Sequence, residues 1–322
     1  MAGKNKQTGT DINELPMKGE GSYSLRLANG LTWSLVPTKA STSWVMRLAR
    51  TMGLTTSPPD SGPTIIFCRG NIRQRRGSIS VGGLPHESLN NLPERGWTVR
   101  RERGFDNWYH SDCDDVIVDL GKVNDEVLDR FPMGVALTPI YKQVIARGGL
   151  PLHAALVQYR KHGILLAASG SGGKSTCARR LPLPWQTWSD DSALIVRVEG
   201  NRYRAHPLPT WSESVFSRSR KTWQVEAHLP YSSVFFLEQA RDDTAVPAGQ
   251  AKCAVSLYHA AAEAYGVGPL GPRSYDHESE IQARIFENSC ELARAVPCQH
   301  LRVSLTGRFW EAMEKVLEPG RE

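Results

Sequence analysis

The stretch from Gly163 to Leu181 limits the fold of this chain more than any other. Gly163-Ile164-Leu165-Leu166-Ala167-Ala168 is short and apolar, as a buried parallel strand would be. It runs into Ser169-Gly170-Ser171-Gly172-Gly173-Lys174-Ser175-Thr176, and Ser175 to Leu181 can continue as a helix. Strand, glycine loop and helix in that order form a cradle for phosphate. Glycines let successive backbone N–H groups turn inward around an anion, and the helix N-terminus adds partial positive charge. Lys174 is placed to reach the outer phosphates and the Ser175 hydroxyl to ligate magnesium. Residues 169–176 are therefore the expected nucleotide-binding positions. The usual spacing has a glycine where this chain has Ala168, so the entry turn must accommodate a Cβ.

Asp190 and Asp191 follow Ser175 by fifteen and sixteen residues, just before the apolar strand Ala193-Leu194-Ile195-Val196-Arg197-Val198. Paired carboxylates beside a phosphate loop suit magnesium-phosphate chemistry. One can hold the metal, directly or through water, while the other accepts the proton of an attacking hydroxyl. Ser175 and Asp190 are the expected metal ligands, and Asp190, Asp191 and Lys174 the expected catalytic groups. His153, at the start of the apolar run Leu152-His153-Ala154-Ala155-Leu156-Val157, can orient one of the carboxylates through its ring N–H; the plainer reading is a satisfied core histidine. Glu213 is a further candidate metal ligand from its place downstream. The basic run Arg218-Ser219-Arg220-Lys221 reads either as a phosphate clamp or as an exposed loop.

A chain of 322 residues has room for about two domains at roughly 150 residues each. Residues 1–20 are polar and without period, and read as a flexible tail. The expected division is an N-terminal α+β recognition domain over 21–148 and a phosphate-loop domain over 149–322, with Gly148-Gly149-Leu150-Pro151 as the break between them. No run of about 18 apolar residues is present, and the first twenty residues lack the apolar core of a signal peptide, so the cytoplasm is the expected compartment. The net charge of +6 favours an anionic partner such as a nucleotide, while nothing in the pattern points to nucleic acid. Six scattered cysteines without a C-x-x-C pair are expected to be free thiols. Asp112, Cys113, Asp114 and Asp115 are read as strand-edge acids rather than a metal cluster.

Along the chain, Ser22 to Val36 reads as a hairpin turning at Asn29-Gly30, with a helix over 43–54 and a strand over 64–68 after it. The basic segment 69–86 is expected to be a loop. Further strands are expected near 97–100, 108–110, 115–120, 193–198, 202–206, 233–237 and 301–305. Residues 207–213, rich in proline, read as a rigid loop. Helices are expected over 138–146, 250–265, 278–295 and 309–317.

Leu152-His153-Ala154, the apolar strand into Ser169–Thr176, and Ser189-Asp190-Asp191 one helix later resemble the catalytic domain of the HPr kinase/phosphorylase superfamily. The likeness is closest to the HPr-kinase-like proteins of the SynChlorMet cassette ScmC type, associated with clusters for ribosomally synthesised peptides. Ala205-His206-Pro207-Leu208-Pro209-Thr210-Trp211-Ser212 and the segments Arg302-Val303-Ser304 and Phe309-Trp310 are similar too. The resemblance covers about residues 150–317. It implies an α/β chain whose phosphate-loop domain is of the phosphoenolpyruvate-carboxykinase and HPr-kinase type, binding ATP or GTP with Mg2+. One of Asp190 and Asp191 would act as base, with His153 assisting. The expected activity is ATP-dependent transfer of a phosphoryl group to a hydroxyl of a peptide or protein, a ribosomally made precursor being one candidate. The alternative is a non-catalytic or hydrolytic nucleotide-binding partner of a peptide-modification cassette. Other cassette enzymes are the expected partners, a homo-oligomer is compatible, and no membrane association is expected.

Overall fold

In the computed structural model, residues 21–59, 62–70, 72–75, 78–82, 93–102, 105–121, 133–168, 172–211, 221–266 and 278–318 are described. The expected tail 1–20 and the loop 268–272 lie outside them.

The chain opens with the hairpin of β1 (Tyr23–Arg26) and β2 (Thr32–Pro37), antiparallel with Leu25 opposite Trp33. Gly30 sits at φ 80 in the turn, a region open to glycine at little cost. Helix α1 (Thr42–Met52) buries Trp44, Val45, Leu48, Ala49 and Met52, the spacing of one helical face. It crosses from β2 to the parallel strand β3 (Thr64–Cys68), with the Trp44 and Phe67 rings 5.4 Å apart.

Residues 72–81, expected to be loop, form a small hairpin of β4 (Ile72–Arg75) and β5 (Ser78–Val81). Arginines masked the alternation of Ile72, Ile79 and Val81. These side chains cover one sheet face together with Val36, Ile66, Trp97, Trp108 and Ile117. Strands β6 (Trp97–Glu102), β7 (Phe105–His110) and β8 (Val116–Asp119) complete a mixed six-stranded sheet in the order β1-β2-β3-β8-β7-β6. Asp115 stands at the edge, its carboxylate taking the backbone N–H of Thr64 at 2.7 Å.

Helix α2 (Thr138–Ala146) leads to β9 (Leu150–Leu152), and β10 (Ala154–Tyr159) follows after His153. The sequence suggested one strand over 152–157. The fold breaks it at His153, because β9 pairs with β13 while β10 pairs with β11 and β12. Strand β11 (His162–Ala167) returns antiparallel to β10 and enters the loop that ends at α3 (Lys174–Arg180). Strand β12 (Gln186–Ser189), unforeseen because only Trp188 of its side chains is apolar, precedes β13 (Ser192–Val198). Strand β14 (Arg202–Leu208) runs on into residues expected to be loop.

Strand β15 (Leu229–Gln239) is longer than its apolar centre suggested and joins the two halves of the second sheet. It lies parallel to β11 on one side; on the other it meets β14 at Leu229 and Pro230, then β17 from Val234 onward. The remaining elements are β16 (Thr244–Pro247), α4 (Gln250–Tyr265), α5 (Glu278–Ala295), β17 (Cys298–Val303) and α6 (Phe309–Leu317). The result is a mixed α/β protein with few helices.

Both faces of β10 and β11 are covered, which explains their unbroken apolar runs. Leu156 and Leu165 point into the large core shared with Leu257 of α4 and Ile285 and Leu292 of α5. Ala155, Val157, Ile164 and Leu166 pack instead with Cys177, Ala178, Phe309 and Met313 beneath α3 and α6. The two sheets meet through backbone contacts: Trp223 N–H donates to Thr51 O at 2.9 Å and Val225 N–H to Met52 O at 3.2 Å. Gly53 permits this approach, since a Cβ there would stand 2.8 Å from the Trp223 carbonyl.

Cys253 of α4 and Cys298 of β17 form a disulfide, correcting the expectation of free thiols for that pair, while Cys113, Cys177 and Cys290 keep their thiols. Their separation of 45 residues hid the pairing, which depends on how α4 packs across the sheet. None of the described helices is long and apolar enough to cross a membrane.

Candidate functional site

Two chain crossings place the site. The chain leaves the β9 half of the second sheet for the β10 half at His153, and leaves the β12 edge for β13 at Asp190 and Asp191. Residues at such crossings have left the strand ladders, so their side chains can face a common space. Here they face the start of α3.

Gly173, at φ 91, sets the left-handed turn from which α3 begins, and its carbonyl accepts the Cys177 N–H at 2.8 Å. Lys174, the first residue of the helix, is only 6% exposed. Its ammonium donates to the Ala168 carbonyl at 3.1 Å, spanning the loop from end to start. Burial pushes the Lys174 ammonium below the ordinary lysine value, and the negative charges of Asp191 and Glu263 work against that shift. The Ser175 hydroxyl donates to the Asp190 carbonyl at 3.3 Å, tying the helix to the acidic turn. Thr176 is exposed.

The Asp190 carboxylate accepts the hydroxyl of Thr210, which is itself 7% exposed. Beneath the turn, the Ser189 hydroxyl donates to the Ser192 carbonyl at 2.7 Å and holds it closed. Asp191 faces the other way. Its Oδ1 lies 3.6 Å from His153 Nε2, and the same nitrogen is 3.7 Å from Glu263 Oε1. The His153 backbone is held too, its N–H donating to Ala260 O of α4 at 3.0 Å.

The structure thus brings together His153, Lys174, Ser175, Asp190 and Asp191. Ser169, Gly170, Ser171, Glu213 and Arg218–Arg220 lie outside the described residues. Lys221, at the end of the basic run, has its ammonium 4.8 Å from the Trp223 ring centre, at the seam between the sheets. Sequence reasoning missed Thr210 and Glu263. Thr210 lay inside a proline-rich stretch read for its stiffness. Glu263 sits in a helix recognised by its length and alanine content, with no local motif to mark it.

The site is a buried cation with the charges of Asp191 and Glu263 acting on it, a hydroxyl tied to the acidic turn at Asp190, and an imidazole between two carboxylates. Among the described residues, no group of three or more His, Cys, Asp or Glu side chains is arranged to hold a metal by itself. An open cleft of about 620 Å³ lies elsewhere, at the sheet seam, lined by Arg26, Ala28, Pro58, Glu226 and His228 among others. It contains none of these groups.

Compared with known proteins, residues 116–318, more than half of the chain, match the family described as SynChlorMet cassette protein ScmC. No curated protein matches the chain.

Proposed function

The chain belongs to the SynChlorMet cassette protein ScmC family, and from that premise we propose that it binds a magnesium-nucleoside triphosphate and phosphorylates a peptide hydroxyl. ATP is the nucleotide of choice in this reading, with GTP the variant to test. The fold is then of the HPr-kinase and phosphoenolpyruvate-carboxykinase phosphate-loop type, with residues 21–148 recognising the acceptor and 149–322 carrying the chemistry. The other proteins of such a cassette, including the enzymes that modify its peptide, are its natural partners.

The observation that carries the reading is Lys174, a buried ammonium at the mouth of a glycine loop, with Ser175 touching the Asp190 turn and Asp191 acting on its charge. A lysine kept out of water near negative charges is prepared for phosphate, which can replace the Ala168 carbonyl as its acceptor.

Magnesium bound with a nucleotide takes one or two protein oxygens and leaves its other positions to phosphates and water. The Ser175 hydroxyl and the Asp190 carboxylate, the latter steered by Thr210, fit that partial set. When bound, the ion would neutralise charge on the phosphates. Lys174 holds the transferred group, and Asp191 accepts the proton of the acceptor hydroxyl. The acceptor oxygen bonds to the γ-phosphorus as the bond to the bridging oxygen breaks, leaving a nucleoside diphosphate. His153 keeps the Asp191 carboxylate in position.

The test is incubation of the purified chain with Mg-ATP or Mg-GTP and the precursor peptide of its cassette, read by mass spectrometry and calorimetry. A peptide heavier by one phosphoryl group supports the kinase. Nucleotide binding with unchanged peptide mass makes the chain a non-catalytic or hydrolytic partner, and no nucleotide binding ends both readings.

A further inference from the structure

Glu263 has no part in the chemistry described so far, yet its carboxylate reaches the site from α4. Two groups of that helix, one turn apart, face His153: Ala260 O takes its backbone N–H at 3.0 Å, and Glu263 Oε1 stands 3.7 Å from its ring nitrogen. Residues three apart on a helix share a face, so both contacts come from one surface of α4. Asp191 approaches the same Nε2 at 3.6 Å. A carboxylate ion only accepts hydrogen bonds, so the nitrogen facing both must carry the proton, and one N–H lies between two acceptors. Both distances are slightly longer than a hydrogen bond, and a few tenths of an ångström would close either. The side chains grade outward, with His153 21%, Asp191 31% and Glu263 50% exposed, so Glu263 stands on the solvent side of the ring.

We propose that Glu263 is a positioning residue of the site, holding the His153 ring so that its Nε2–H stays directed at Asp191. The assignment of a catalytic consequence rests on the nucleotide-site reading given above. Without Glu263, the imidazole loses one of the two acceptors that define its angle, and Asp191 loses a fixed neighbour. Lys174 also loses one of the two negative charges acting on it. The nucleotide's own contacts through Ser175 and Asp190 are untouched. Turnover should therefore suffer more than nucleotide binding.

The test uses the full chain with histidine ring nitrogens labelled, the His153 signals being assigned by their loss in His153→Gln. Glu263→Ala, which removes the acceptor altogether, should move the His153 ring resonances and leave the other eight histidines in place. In the transfer assay it should lower kcat about tenfold with KM for Mg-ATP changed less than about twofold, and Glu263→Asp should recover part of the loss. His153 resonances that do not move in Glu263→Ala overturn the proposal, whether or not the wild type transfers phosphate. A moved resonance with unchanged kcat also overturns it, by reducing Glu263 to a structural role. A wild type that transfers nothing ends the kinase reading alone, and the ring resonances still decide whether Glu263 holds His153.

Discussion

The Lys174 ammonium donates to the Ala168 carbonyl at 3.1 Å, so the last residue of the candidate phosphate loop is fastened to the residue that enters it. A phosphate group would compete for this ammonium, exchanging a neutral acceptor for a charged one.

Replacing Lys174 with alanine should lower Mg-ATP affinity on the order of 100-fold, the scale of a lost charge-assisted contact in a buried site. Stability should move the other way. The ammonium's pKa is lowered by burial, so its charge is costly to the fold below that lowered value, and the cost fades as pH rises toward the ordinary 10.5. At neutral pH the alanine variant should melt at or above the wild-type temperature. A variant with undiminished affinity in calorimetry would remove Lys174 from the site.

Thr210 steers Asp190. Thr210→Val keeps the shape and removes the only donor the structure shows on that carboxylate among the described residues. Magnesium-dependent nucleotide affinity should fall about tenfold, and Thr210→Ser should restore most of it. Titration calorimetry with and without Mg2+ measures both.

His206 predicts an acid sensitivity. It is fully buried, its Nδ1 against the Val225 carbonyl at 2.8 Å and its Nε2 accepting the Ala28 N–H at 3.2 Å. Burial, with a smaller contribution from the neighbouring His228 charge, holds its pKa down to about 4, against the Val225 carbonyl. The unfolded chain takes up this proton near 6.5 and the folded chain only near 4, so stability is whole above 6.5 and declines as pH falls to about 4. The loss should approach about 3 kcal/mol. In urea unfolding at several pH values, His206→Gln should show a flatter acid slope than the wild type; equal slopes would refute the assignment.

The Cys253–Cys298 disulfide closes a separation of 45 residues. Its removal in a Cys253→Ala, Cys298→Ala protein should cost about 2–4 kcal/mol. Reductant should lower the urea midpoint of the wild type and leave the double variant unchanged.

Most elements were legible in the sequence because their signals are local. Helices α4 and α5 run over the expected residues, as does the hairpin turning at Gly30. The failures share a cause. Strand β12 has too few apolar side chains to declare itself, the β4–β5 hairpin is written in arginines, and the strand through His153 is broken by a change of partner.

For the site, the order of residues alone determined a glycine loop ending in Lys174 and Ser175, an acid pair one helix later and a histidine one strand earlier. That much follows from loop chemistry and chain order. Only the tertiary structure decided that the histidine stands between two carboxylates, that Thr210 turns Asp190, that Glu263 belongs to the group, and that two of the six cysteines are joined. Each of these links joins side chains far apart in the sequence. They meet because β15 unites the halves of one sheet while α4 packs across it, and no local pattern of residue types encodes that closure.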